Sequence, residues 1–186
     1  MQVIGNTTTP NNVVINVAAG NAIYITDYPY VLKFSGMNLT NGGTASHNCI
    51  YAYQTNSSIL LSKVNFGSST GVHIYGFGNV LIANDTNVGY EISGGALRHV
   101  DMRNGAKFSF ILGTVTITGT PAFSQFSYTI NGSGIYWFQP VFSGSATGQR
   151  YYAASLSMIN TYGGGATFLP GSTAGAVDAA TYGVYA

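Results

Sequence analysis

Short apolar runs that end near a glycine return at a nearly constant interval along the chain. The last apolar residues of these runs are, in order, Leu39, Phe66, Ile92, Ile117, Phe142 and Leu169. Successive members of this set are separated by 25 to 27 residues. Self-similarity at such a period is typical of stacked repeats, in which each repeat packs against the one before it.

Two further apolar columns lie inside each period. One column contains residues 50–53, 74–77, 100–102, 126–128 and 151–153. The other contains residues 59–61, 80–82, 108–110, 135–137 and 156–158. These runs are short and rich in β-branched and aromatic residues, as strands are. The Asn, Gly, Ser and Thr residues between them favour turns, and no stretch repeats with a helical period.

Three short strands per repeat predict an all-β chain, folded as a right-handed parallel β-helix of about six coils. Strand alternation then sends one side chain into the coil and the next outward. The inward set is expected to contain Ile50, Ile74 and Val100, followed by Ala52, Gly76 and Met102. A β-sandwich or jelly roll also has short strands between polar turns, but it gives no reason for a constant interval.

The same register predicts an outward ladder on the column that contains residues 50–53, 74–77 and 100–102. Its rungs are Tyr51, Tyr75 and Asp101, and it is flanked by His73, His99 and Arg103. A phenol ring pairs an apolar body with a polar tip, which suits both sugars and protein interfaces. We therefore predict these six residues as the binding site, with the two histidines as an external pair one coil apart.

The repeat divides the chain into three parts. Residues 1–36 form an N-terminal segment with the first strands, residues 37–162 form the regular coils, and residues 163–186 form a C-terminal cap. A cap is expected because the last coil of a stack otherwise exposes its apolar interior and unpaired backbone.

Charge is scarce in this sequence and limits the possible partners. Charged residues make up 6% of the 186 residues, and the net charge is +1. Nucleic-acid binding is not expected, because a basic patch is missing. No apolar run is long enough to span a bilayer, so membrane insertion is not expected either. A surface this poor in charge favours association, and we predict a parallel homotrimer.

The sequence offers little catalytic chemistry. Glycoside hydrolysis needs two carboxylates, and the candidates are Asp85, Glu91 and Asp101, paired as Asp85 with Glu91 or Glu91 with Asp101. Two histidines fall short of the four ligands of a structural metal site, so no metal is predicted. Nucleotide-binding and nucleophile motifs are missing. We predict no catalytic residue and no cofactor.

The C-terminal part carries a family resemblance. Residues 142–151, the glycines at 163–165 and Pro170-Gly171 resemble the C-terminal region of bacteriophage and prophage tail fibre or tailspike proteins. The similarity covers about residues 115–185. Where those proteins have a Gly-Gly-x-Tyr ending, this chain has Gly183-Val184-Tyr185 after Thr181-Tyr182. The resemblance implies a trimeric β-helix in an extracellular virion, with other tail proteins and a bacterial surface glycan as partners.

Three functions follow as hypotheses. The first is a structural and adhesive module of a phage tail fibre or spike that binds bacterial surface polysaccharide. The second is a tailspike enzyme that degrades this polysaccharide as a glycoside hydrolase or lyase. The third is a purely structural virion fibre or decoration protein. The shortage of carboxylates favours the first and third over the second.

Overall fold

The computed structural model describes residues 1–54 and 56–186 of the chain. These residues form short strands throughout, together with two single-turn 3-10 helices at Pro10–Asn12 and Ala179–Thr181. The strands are, in chain order, β1 (Gln2–Ile4), β2 (Val14–Val17), β3 (Ile23–Thr26), β4 (Val31–Ser35), β5 (Asn38–Asn41), β6 (Ile50–Tyr53), β7 (Ser58–Ser62), β8 (Asn65–Ser69), β9 (Val72–Phe77), β10 (Leu81–Asn84), β11 (Tyr90–Ile92), β12 (Ala96–Arg103), β13 (Lys107–Ile111), β14 (Thr114–Ile117), β15 (Ala122–Ile130), β16 (Gly134–Phe138), β17 (Val141–Ser143), β18 (Thr147–Ala153), β19 (Met158–Asn160), β20 (Ala176–Val177) and β21 (Val184–Tyr185).

Every third strand belongs to the same sheet over most of the chain. Sheet A has the order β1-β4-β7-β10-β13-β16-β19-β21, sheet B has β2-β5-β8-β11-β14-β17, and sheet C has β3-β6-β9-β12-β15-β18-β20. Neighbouring strands within each sheet pair in parallel, for example β3 with β6 and β12 with β15. The predicted all-β parallel β-helix is therefore confirmed, with about seven turns where about six were expected.

The extra turn comes from the two ends of the chain. Residues 1–36 already contain β1 to β4, which pair within the three sheets. At the other end, β20 pairs with β18 and β21 pairs with β19. The tail thus continues the sheets as a further turn, while its predicted role as a cap stays a prediction.

The interior column of sheet B has the predicted register. Leu39 pairs with Phe66, Phe66 with Ile92, and Ile92 with Ile117. All four side chains are buried. Vertical stacking of the apolar anchors is therefore confirmed for these coils.

The next pair in that column differs from the pairing that the sequence repeat predicts. Phe142 pairs with Val115, two residues before Ile117. Gly144 then lies against Ile117, where an added Cβ would meet the Ile117 carbonyl oxygen at 2.0 Å. Only glycine allows this close backbone approach, so the glycine takes the place in which the sequence alignment put the apolar anchor.

Two other columns are also shifted relative to the pairing predicted from the sequence repeat. Val100 pairs with Ser127, whereas the alignment placed Phe126 there. In the last coil Ile159 continues the interior column of sheet A and Leu156 is 73% exposed. The first shift is one residue, and Phe126 and Ser127 are both buried there. The second shift is three residues, an odd number, and it places Leu156 on the outer face.

The corner between sheets C and A is built from stacked residues with positive φ. These residues are Asp27, Gln54, Gly78, Asn104, Asn131 and Ser155. Asn131 donates from Nδ2 to Oδ1 of Asn104 at 2.9 Å, which ties two successive corners together. Glycine and asparagine tolerate this backbone region best, which explains the polar turns that punctuate the sequence.

Candidate functional site

A row of aromatic side chains follows the outward face of sheet C. Parallel in-register pairing places the following residues one above the other: Tyr24, Tyr51, Tyr75, Asp101, Tyr128 and Tyr152. The five tyrosines of this row are called the aromatic ladder below. Strand alternation turns all of them away from the core, and each remains at least partly exposed.

The rings of the aromatic ladder stack face to face. Ring centroids are 5.3 Å apart for Tyr24 and Tyr51, 4.9 Å for Tyr51 and Tyr75, and 5.3 Å for Tyr128 and Tyr152. The interplanar angles of these pairs are 14°, 6° and 17°. The strand spacing of about 4.8 Å sets this geometry. As a result, ring faces cover one another and ring edges with their hydroxyl groups point outward.

Asp101 interrupts the ladder and is held by two arginines. Arg98 donates from Nη1 to Oδ2 of Asp101 at 2.8 Å. Arg103 donates from Nε to Oδ1 at 2.8 Å and from Nη2 to Oδ2 at 2.9 Å. The carboxylate is fully buried beneath arginine side chains that are 17% and 30% exposed. Arg98, Asp101 and Arg103 form the charged rung, which satisfies the usual requirement that a buried charge be paired.

The charged rung also fills the aromatic gap between Tyr75 and Tyr128. The guanidinium carbon of Arg98 lies 3.8 Å from the ring centroid of Tyr128. That of Arg103 lies 5.5 Å from the Tyr75 centroid and 5.3 Å from the Tyr128 centroid. These cation–π contacts continue the stack across the gap. Burial raises the pKa of Tyr75 to about 12, so its hydroxyl stays a neutral donor at neutral pH.

A groove of about 340 Å³ runs beside this part of the ladder. One of its walls is the turn before β6, and the other side is the ladder itself. The lining residues are Ala45, Ser46, Asn48, Tyr51, Val72, Tyr75, Leu97, Arg98, Asp101 and Arg103. The groove therefore offers phenol, guanidinium and hydroxyl groups within one concave surface.

Four of the six predicted binding residues come together in this groove. Tyr51, Tyr75, Asp101 and Arg103 line it, as the outward register implied. Arg98 also lines the groove, although it is not among the six residues predicted from the sequence. Arg98 lies three residues before Asp101 on β12, and its side chain reaches the carboxylate of Asp101. The repeat in the sequence does not predict the direction of this side chain.

The two histidines do not belong to the groove. The expected outward placement of His73 and His99 is wrong, because both are fully buried in the interior. On β9, Val72 lines the groove while His73 and Ile74 are both fully buried, so strict alternation starts only at Ile74. A side chain without exposed surface has no direct contact with a ligand in the groove.

His73 and His99 instead form a neutral pair in the core. Their Nδ1 atoms are 3.1 Å apart, so one ring donates to the other. Nε2 of His99 lies 2.7 Å from the hydroxyl oxygen of Tyr90. The ring of Phe126 packs 4.9 Å from that of His99. Burial lowers the pKa of His73 to about 3 and that of His99 well below its usual value.

The interior next to this pair does not assemble a metal site. Within residues 1–54 and 56–186, no three His, Cys, Asp or Glu side chains are grouped so that they could hold a metal ion. Cys49 is buried, and burial raises the pKa of its thiol to about 12. A thiol with this pKa stays protonated at neutral pH and is a poor nucleophile.

The three candidate catalytic carboxylates lie on different faces of the β-helix. Asp85 follows β10 of sheet A and pairs with Lys33. Glu91 is on β11 of sheet B and lines a separate hollow with Lys63. Asp101 is on β12 of sheet C. Glu91 therefore belongs to a different surface from both Asp85 and Asp101, and neither of the two candidate carboxylate pairs shares a face of the β-helix.

Comparison of the chain with protein-family models, with curated proteins and with solved structures finds no match. In the part of the chain that the structure describes, no helix has the length and apolar character needed to cross a membrane. The identification as a phage tail protein accordingly stays a prediction.

Proposed function

We propose that this β-helix is a rigid adhesive module, part of a phage tail fibre or spike, that binds bacterial surface polysaccharide along the aromatic ladder. The ladder is the observation that carries this proposal. It presents phenol groups at the strand spacing of about 4.8 Å in two stacks, one of Tyr24, Tyr51 and Tyr75 and one of Tyr128 and Tyr152, on either side of Asp101. A polysaccharide is likewise an extended polymer with hydroxyl groups at a regular spacing.

The hydroxyl groups of the ladder are available for a ligand. Among the described residues, the structure gives no hydrogen-bond partner to the hydroxyls of the five ladder tyrosines, whereas those of Tyr90 and Tyr185 are bonded. Since the ring faces are stacked on one another, we expect a sugar to bind through hydrogen bonds to ring edges and hydroxyls. Such preformed polar groups bind without a large loss of side-chain entropy.

Binding to a glycan panel tests this proposal. The protein is incubated with capsular and lipopolysaccharide glycans, and both binding and released reducing ends are measured. We expect binding without new reducing ends, and a loss of about tenfold or more in the double variant Tyr51→Ala/Tyr75→Ala. The matched control is Thr116→Ala, which changes an exposed residue on sheet B and is expected to bind like wild type.

Each alternative outcome is distinct. Release of reducing ends supports the degrading tailspike instead. Lack of binding across the panel by a folded protein overturns the adhesive function and favours a purely structural fibre. Equal binding by the double variant excludes the aromatic ladder as the binding surface.

We also propose that the chain assembles as a parallel homotrimer through sheet A, which leaves sheet C free for the glycan. An outward column of sheet A contains the exposed apolar residues Val31, Leu81 and Val184, with Ser58, Lys107, Gly134 and Met158 at the positions between them. Covering such side chains with a second copy removes apolar surface from water. Light scattering during size exclusion is expected to give the mass of a trimer. A single monomer peak at micromolar concentration contradicts this assembly.

A further inference from the structure

The charged rung concentrates charge in a protein that has very little of it. The whole chain contains six Lys and Arg residues and five Asp and Glu residues. Two of these cations, Arg98 and Arg103, share the single carboxylate of Asp101. The rung therefore has one uncompensated positive charge in the middle of an otherwise neutral aromatic ladder.

The orientation of the rung presents this positive charge to the groove. Both carboxylate oxygens of Asp101 accept hydrogen bonds, and its side chain has no exposed surface. The hydrogen bonds of Arg98 use Nε, towards Gln125, and Nη1. Those of Arg103 use Nε and Nη2. These bonds leave Nη2 of Arg98 and Nη1 of Arg103 as donors for a ligand that lies over the rung.

From this geometry we infer that the charged rung binds the acidic group of a negatively charged sugar, so that the ladder prefers acidic over neutral polysaccharides. The inference rests on the proposed function and names the ligand class of the same site. A carboxylate accepts strong hydrogen bonds from guanidinium groups. Asp101 fixes both arginines in place, so little side-chain entropy is lost when the anion binds. The neighbouring Tyr75 adds a neutral hydroxyl donor.

Paired glycans test the preference directly. Polygalacturonate, alginate and hyaluronate are each compared with their carboxyl-reduced forms, and dissociation constants are measured at low and at physiological salt. We expect the acidic form to bind about tenfold more tightly, as one charge-assisted hydrogen bond contributes. We also expect salt to reduce the preference, since screening weakens exposed ionic contacts. A phosphate-bearing glycan with its dephosphorylated form shows whether the rung accepts phosphate as well.

Two variants with the same change in net charge locate the effect. Arg103→Gln removes a donor of the rung, and the ratio of acidic to reduced affinity is expected to fall towards one. Lys63→Gln removes an exposed charge in the turn between β7 and β8, away from sheet C, and this ratio is expected to stay as in wild type. Thermal melting of both variants verifies that each is folded. The Arg103→Lys variant keeps the charge without the planar fork and is expected to retain part of the preference.

The failures separate the two proposals. If acidic and reduced glycans bind equally, the inference is overturned while the adhesive function stands. If Lys63→Gln lowers the preference as much as Arg103→Gln, the effect is one of overall charge and the rung is not the site. If none of the paired glycans binds and the larger panel also fails, both proposals fall together.

Discussion

His99 and Asp101 lie two residues apart on β12, and both side chains are without exposed surface, yet their surroundings are opposite. His99 lies inside the coil, next to the imidazole of His73 and the hydroxyl of Tyr90. Asp101 lies outside the coil and is covered by two arginine side chains. Burial of His99 is tolerated because its imidazole stays neutral, and burial of Asp101 is tolerated because its carboxylate is paired with two guanidinium groups.

This contrast shows that the two sides of one sheet tolerate polar groups by different means. The core excludes charge because desolvation is not compensated there. The outer face carries a charge in a site that side chains shield from water but that still borders solvent. Perturbations that add or remove charge should therefore have much larger effects on the inner side than on the outer side.

The largest difference in stability is expected between an aspartate on the inner side of sheet C and an aspartate on its outer side. Ile50 points inward with no exposed surface, and its neighbour Tyr51 points outward. Ile50→Asp buries an unpaired charge and is expected to lose more than about 4 kcal/mol or fail to fold. Tyr51→Asp loses stacking and strand propensity, at about 1 kcal/mol. Denaturant melts of both variants measure the difference, and equal losses would show that the register is wrong.

Acid is expected to have the next largest effect, and it acts on the inner side. Burial lowers the pKa of His73 to about 3 and lowers that of His99 well below its usual value. The unfolded chain therefore binds more protons below about pH 6.5, and stability falls as the pH falls from there towards 3. For His73 the slope approaches about 1.4 kcal/mol per pH unit below about pH 6.5, and His99 adds to it in the same direction.

The His99→Phe variant separates this effect from the general acid sensitivity of carboxylates. It removes one of the two buried imidazoles, so stability is expected to fall less steeply than in wild type as the pH falls below about 6.5. It is also less stable at neutral pH, because Tyr90 and His73 each lose a hydrogen-bond partner. An unchanged slope would mean that the histidines are protonated or exposed in the folded protein.

A smaller effect is expected when the charged rung is dismantled from either side. The Arg98→Gln/Arg103→Gln variant leaves Asp101 buried without a cationic partner, at a cost of about 3 kcal/mol. Asp101→Asn leaves two arginine side chains that are already partly exposed, so their charges can be hydrated and the cost is about 1 kcal/mol. Chemical denaturation at neutral pH measures both. The opposite order of losses would mean that the carboxylate is open to water.

How well the sequence predicts this molecule depends on local regularity. The outward rungs Tyr51, Tyr75 and Asp101 were predicted correctly because apolar and polar residues alternate strictly after Ile50, Ile74 and Val100. The outward positions of Tyr128 and Tyr152 were not predicted. Pairing Phe126 with Val100 placed Ser127 next to Asp101, whereas Tyr128 occupies that position in the structure.

The miss arises because two successive residues of β15, Phe126 and Ser127, are both buried in the core, so alternation does not tell which of them pairs with Val100. The pairing of β15 with β18 shifts register between Phe123 and Gln125. The Phe126 ring turns inward next to His99, and Ser127 follows it into the core, where its Oγ accepts a hydrogen bond from Trp137 Nε1 at 3.1 Å. Two successive inward residues break the period of two, as His73 and Ile74 do on β9. Simple alternation cannot anticipate such positions, and they determine where the polar groups of the core lie.

The smallest expected change compares the same hydroxyl group on the two sides. Tyr90→Phe removes the partner of His99 Nε2 and leaves that nitrogen unpaired in the core, at about 1–3 kcal/mol. Tyr51→Phe removes an outward hydroxyl without an internal partner and keeps the stacked ring, so stability is expected to change by less than about 0.5 kcal/mol.

Glycan affinity should show the reverse order. Tyr51→Phe is expected to weaken binding about threefold, because one hydrogen bond to the sugar is lost, while folded Tyr90→Phe binds like wild type. If Tyr51→Phe binds as tightly as wild type and Tyr51→Ala does not, the ring edges rather than the hydroxyls hold the polysaccharide.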